Sequence, residues 1–167
     1  MRAVIAALPF GVALALCLAA WDARARVAQP RKGDKTCVID SSSVMSFGQY
    51  DPMNPAPLDA QGRVSYRCGN KLGLRDQILV QISLSAGQAG TYQRAMKGGR
   101  DSLRYNLYLD PVRTVIWGDG SGGTQVYSAK AQPNNKVVVV PVFGRVSAEQ
   151  DVAASVYLDT IIVTLDF

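Results

Sequence analysis

Histidine, the commonest general base and zinc ligand, is absent from this 167-residue chain. Its absence removes Ser-His-Asp and Cys-His triads and His-ligated zinc together. The reactive or ligating side chains that remain are three cysteines and 13 acidic residues. Asp110, Asp119, Asp151 and Asp159 are the carboxylates open to an acid/base pair of the glycosidase kind, which needs two carboxyl groups at a fixed separation. Most acids flank turns, and no D-x-[DN]-x-[DN]-G calcium spacing occurs. The expectation is a non-enzymatic chain with no catalytic residue, no cofactor and no metal.

Gly118-Asp119-Gly120-Ser121-Gly122-Gly123 satisfies G-x-G-x-x-G. Dinucleotide binding by that pattern needs a strand before it and a helix after it, so that the helix N-terminus receives the pyrophosphate. A strand from Thr114 to Trp117 is expected before it, but Thr124-Gln125-Val126-Tyr127 reads as a second strand. The stretch is therefore expected to be a glycine-rich hairpin loop.

What the cysteines do depends on the compartment. Residues 1–25 read as a secretory signal peptide: Arg2 precedes the apolar run Val4 to Ala20, and Ala23-Arg24-Ala25 supplies a small-x-small cleavage pattern. The run is at the lower limit for a membrane span, and no second one of that length follows. Cutting is expected after Ala25, the competing site being after Ala20. Cys17 follows Leu14-Ala15-Leu16, where a bulky Leu argues against lipidation, so Cys17 leaves with the signal. Cys37 and Cys68 remain, and two cysteines in an exported chain most simply form one disulfide. Such a closure is worth about 3–4 kcal/mol in the chain-entropy view. Two thiolates alone do not complete a zinc site.

The net charge of +5 is spread along the chain. Its densest cluster, Arg31-Lys32 with Lys35, lies in the polar segment 26–36. No dense basic face with interleaved aromatics is evident, so no nucleic-acid partner is expected. The expected location is extracytoplasmic: the periplasm in transit, then the cell surface, a fimbrium or the medium.

The elements that must hold these residues are strands. Val64, Tyr66 and Cys68 alternate with polar neighbours; so do Ile78, Val80, Ile82 and Leu84, and Leu103, Tyr105, Leu107 and Leu109. Tyr157, Ile161, Val163, Leu165 and Phe167 share one face with Asp159 in a terminal run expected to be a strand. Val137 to Phe143 is more continuously apolar, and Pro141 within it points to an edge strand or a bulge. Turn signals separate the runs, and Ser147 to Ser155 is expected to hold at most one helical turn, with Ser147 and Gln150 spaced like a capping box. This describes an all-β antiparallel sandwich formed by residues 37–167.

Several ordered segments resemble one family. They are Cys37-Val38, Phe47-Gly48-x-Tyr50-Asp51-Pro52, Pro57-Leu58-Asp59-Ala60-x-Gly62 and Val64-x-Tyr66-x-Cys68, then Ile82-x-Leu84-Ser85-x-Gly87, Arg94-x-Met96 and Leu103-x-Tyr105-Asn106-Leu107-Tyr108. Trp117-Gly118-Asp119-Gly120, Gly144-Arg145-Val146, Gln150-Asp151-Val152 and Tyr157-x-Asp159-Thr160 complete the series. The set is similar to the spore coat protein U domain, the family that includes subunits of archaic chaperone–usher pili. The resemblance implies an incomplete immunoglobulin-like sandwich, missing its last strand and completed by a donor strand. It implies as partners a periplasmic chaperone, an outer-membrane usher and other pilus subunits, with a role in adhesion or biofilm formation. It also implies a Cys37–Cys68 disulfide and a chaperone or donor-strand groove edged by Tyr157, Ile161, Val163, Leu165 and Phe167. One departure is the polar segment 26–36, broken by Pro30 and Gly33, which makes a poor donor strand and suits a terminal or minor subunit. The alternative is a secreted coat or matrix protein of the same fold that does not polymerise.

Overall fold

The structure, a computed structural model, describes residues 36–69, 78–132 and 134–167. The expected signal peptide, its cleavage residues Ala23 and Ala25, and the segment 26–35 lie outside the described residues. Eight strands follow in order: β1 (Cys37–Ser42), β2 (Leu58–Cys68), β3 (Leu79–Leu84), β4 (Ala95–Gly98), β5 (Asp101–Tyr108), β6 (Tyr127–Lys130), β7 (Val137–Val146) and β8 (Val163–Asp166). Among the described residues the only helical element is a single 3-10 turn, Gly87–Ala89. The strands form a five-stranded sheet in the order β1-β2-β7-β5-β4 and a three-stranded sheet in the order β6-β3-β8. Every pairing between these strands is antiparallel, so the chain is the all-β sandwich its alternation implies.

The core lies between the sheets and is built from the alternating sets. Val64, Tyr66 and Cys68 of β2 meet Val80, Ile82 and Leu84 of β3, with Leu103, Tyr105 and Leu107 of β5 and Val140, Val142 and Val146 of β7. Burying each large apolar side chain is worth about 1.5–3 kcal/mol. Trp117 has no exposed surface, and its indole N–H donates to the Ile82 carbonyl at 2.8 Å, which satisfies its one polar atom inside the core. Pro141 lies in the part of β7 flanked by β2 alone, because β5 pairs only with Phe143 to Val146. That is the edge position its missing N–H requires.

Three local expectations give way to side-chain chemistry. Thr114 to Trp117 is not a strand: only single-residue bridges occur, Ile116 with Tyr108 and Trp117 with Gln125. The Asp110 carboxylate takes the backbone N–H groups of Thr114 and Val115, at 3.0 and 2.7 Å, so these donors are turned into a loop. The next strand begins at Tyr127, after the glycine-rich loop, in which Gly120, Gly122 and Gly123 all have positive φ. Ser147 to Ser155 contains no helical turn. The Gln150 amide instead accepts from Arg104 N–H at 2.7 Å and donates to Arg104 O at 2.9 Å, so a side chain pairs with β5 as a peptide group would.

Candidate functional site

From Val156 to Val163 the period-two pattern holds in space, and within β8 Thr164 is half-buried as well. Tyr157, Asp159, Ile161, Val163 and Leu165 are half-buried, while Val156, Leu158, Thr160 and Ile162 are exposed. The run is nevertheless not one strand. Leu158 exchanges both backbone hydrogen bonds with Lys97 of β4, at 2.8 and 2.9 Å, along the edge of the five-stranded sheet. Five residues later, β8 pairs with β3 in the other sheet, Val163 opposite Leu84 and Asp166 opposite Gln81. The chain thus crosses from one layer to the other between Asp159 and Ile162.

Side chains on three sides hold that crossing. Asp159 accepts from the Tyr105 hydroxyl at 2.7 Å and from the Gln88 N–H at 2.9 Å. Ser85 N–H donates to the Ile162 carbonyl at 3.0 Å, and Ile162 N–H donates to Ser85 Oγ at 2.9 Å. At Gly98 a Cβ would sit 2.8 Å from the Val156 carbonyl oxygen and 2.7 Å from the Tyr157 ring, so only glycine lets the segment lie this close to β4.

Arg94 is the residue whose role the sequence left unread. It has no exposed surface and no ion-pair partner among the described residues. Its guanidinium donates to Ser85 O, Trp117 O and Asn106 Oδ1 at 2.7–3.0 Å and stacks on the Tyr92 ring at 5.0 Å. Burial pulls its pKa down, and the neighbouring Tyr105, Tyr92, Asp159 and Asp119 pull the other way. Because Arg94 draws on the Ser85 carbonyl, the Ile162 N–H is left to the Ser85 hydroxyl. Burial, then the hydrogen bond to Asp159, pushes the Tyr105 phenol up; burial does the same to Tyr66.

The backbone of β8 defines the site. The Ser85–Ile162 bond sets the antiparallel alternation, so Thr164 and Asp166 turn their N–H and C=O groups toward β3. Val163 and Leu165 turn theirs to the opposite edge, where no backbone partner occurs among the described residues. β8 is the last strand of its sheet, β1 is the last strand of the other, and the two lie close together. Ile39 of β1 and Ile161, Val163 and Leu165 are only partly covered there. An unpaired edge beside half-covered apolar side chains is a template for one more strand. Phe167, expected on the same edge, lies past the end of β8 and is 53% exposed.

The β1 side of this gap is covalently fixed. Cys37 and Cys68 stand opposite each other in the β1–β2 register, form a disulfide and are both buried. The four carboxylates that an acid/base pair would need are not gathered into a cleft. Asp110 is engaged by Thr114 and Val115, Asp119 by the Ser121 N–H and hydroxyl, and Asp159 by Tyr105 and Gln88, while Asp151 is exposed. Among the described residues no group of three or more Cys, Asp or Glu side chains is arranged to hold a metal ion.

Comparison with known proteins agrees with this geometry. "Protein U" of Myxococcus xanthus is 29% identical over 142 residues, 78% of this chain and 77% of that protein. A solved structure, the CsuC-CsuE chaperone–tip adhesion subunit pre-assembly complex from archaic chaperone-usher Csu pili of Acinetobacter baumannii, contains a chain with the same fold. The TM-score is 0.54 at 23% identity, over 79% of this chain and 40% of that one, so this chain spans well under half of its neighbour's length. Residues 27–164 match the Spore Coat Protein U domain, and the chain belongs to that family.

Proposed function

We propose that the protein is a non-enzymatic structural subunit of a surface pilus, assembled by strand complementation along the outer edge of β8. The observation that carries this reading is the outward-facing backbone of Val163 and Leu165 beside the half-covered Ile39, Ile161, Val163 and Leu165. A strand added there gains main-chain bonds and buries alternate side chains in one step. A periplasmic chaperone supplies it first, and a segment of another pilus subunit replaces the chaperone at an outer-membrane usher. Ile161, Val163 and Leu165 edge the groove, with Phe167 free to fold onto the incoming strand, whereas Tyr157 lies against Gly98 at the β4 edge. Export follows from a signal peptide over residues 1–25, and the finished protein resides in a surface fimbrium serving adhesion or biofilm formation. Residues 26–36 are polar and broken by Pro30 and Gly33, which suits a subunit that accepts a strand without donating one, at a terminal or minor position in the fibre.

Co-expression with a periplasmic chaperone tests this reading. The full chain accumulates and co-purifies with the chaperone, and Leu165→Asp, which places a charge on the inner face of β8, abolishes capture. A stable monomer whose sheet is complete without any partner, its β8 edge already covered by its own residues, overturns it. The match to the Spore Coat Protein U domain favours a second reading, a secreted coat or matrix protein that does not polymerise; that reading requires the same complete monomer.

A further inference from the structure

The outer face of the five-stranded sheet, away from the β8 edge, carries a second feature. The β2–β7 register sets Arg67 beside Val137, Ser65 beside Val139 and Arg63 beside Pro141. One strand is thus polar and cationic where its neighbour is apolar. Val137 and Val139 are 44% and 56% exposed, and Val44 across the strand is 94% exposed. A shallow trough of about 420 Å³ runs over β2 here, walled by Val44 on one side and Val139 and Pro141 on the other, with Gln61 and Arg63 between them.

The charges on this face are unequal. Arg67 is paired with Asp40 at 2.7 Å, and Arg145 and Arg113 share Asp59 at 2.7 and 3.3 Å. Arg63, inside the trough, is exposed and has no carboxylate partner among the described residues. An anion would complement its charge. We propose that this trough binds an acidic polysaccharide, a uronate chain whose carboxylate meets the Arg63 guanidinium and whose C–H faces lie on Val44, Val139 and Pro141.

The floor decides between sugar and peptide. The backbones of β2 and β7 are paired with each other along this stretch. An extended acidic peptide would lie on a surface with no free main-chain groups and gain no ladder bonds there. A polysaccharide needs none, because its hydroxyls stay in water while its ring faces cover the apolar walls. Arg67 is already neutralised by Asp40, so the Arg63 guanidinium supplies the charged contact and the apolar walls supply the rest.

The test measures binding of the full exported chain, in the complex in which it is purified, to polygalacturonate, neutral dextran and polyglutamate. Polygalacturonate binds and weakens as salt rises, and dextran and polyglutamate bind far less. Arg63→Gln weakens polygalacturonate roughly five- to tenfold, as expected of one exposed charge-assisted contact. Val139→Ser, at an exposed wall, gives an independent loss, and Lys130→Gln, on the other sheet, gives none. Absence of polygalacturonate binding, equal binding of dextran, unchanged affinity in both trough variants or an equal loss in Lys130→Gln overturns the proposal. Polyglutamate binding as tightly as polygalacturonate overturns it in favour of an acidic protein partner.

Discussion

The Tyr105 hydroxyl donates to Asp159 Oδ2 at 2.7 Å, across 54 positions of sequence, and ties β5 to the segment that crosses between the sheets. The carboxylate faces inward, so losing this donor leaves a half-buried oxygen without its partner. Tyr105→Phe should therefore lower stability by about 1–2 kcal/mol, read from the urea midpoint with the slope unchanged.

The same phenol makes stability depend on alkaline pH. Tyr66 and Tyr105 have folded pKa values raised above the ordinary 10.0, in both cases first by burial. A group raised on folding contributes stability that is complete below its unfolded pKa and lost as pH climbs toward the folded value. The protein should lose stability progressively above about pH 10. In a spectrophotometric titration, part of the tyrosinate absorbance should arrive only with the loss of near-ultraviolet circular dichroism. Full tyrosine ionisation in the folded state would contradict this.

Arg94 joins Ser85 just past β3, Asn106 within β5 and the Trp117 carbonyl with one planar fan of donors. Arg94→Lys keeps the charge and forfeits the fork, leaving carbonyl oxygens and Asn106 short of partners. The expected cost is on the order of 2–4 kcal/mol in chemical denaturation. A neutral outcome would mean that a lysine ammonium reaches the same oxygens.

Cys37→Ser, or reduction of the parent protein, removes the link between the start of β1 and the end of β2. With a sequence separation of 31 between the cysteines, the loss should be about 3–4 kcal/mol. The comparison of reduced and oxidised forms by thermal melting checks it.

The sequence reveals faces better than partners. The alternation through Tyr157, Asp159, Ile161, Val163 and Leu165 is readable because a two-residue period is local, and these residues do face inward. That Leu158 belongs to β4 and Val163 to β3 is not readable, since the period is identical whichever sheet a strand joins. Pro141 announces its edge position through its own missing donor. Gln150 misleads: its spacing from Ser147 matches a capping box, and its amide does donate to the Ser147 carbonyl, but it also pairs with the Arg104 backbone 46 residues away and no helix forms. Arg94 carries no local sign of burial, because its partners are carbonyls, which every residue type supplies. Asp110 hides in the same way, ending a strand by taking N–H groups that sheet pairing would otherwise use.

Residue-resolved amide hydrogen exchange tests whether β8 offers an unfilled place for a strand. In the chain without a partner, the amides of Thr164 and Asp166, bonded to β3, should exchange slowly, while those of Val163 and Leu165 exchange freely. Capture by a periplasmic chaperone should slow Val163 and Leu165 and leave Thr164 and Asp166 as they were. Slow exchange at Val163 and Leu165 in the chain alone would show the edge already covered by the protein's own residues and would contradict strand addition there.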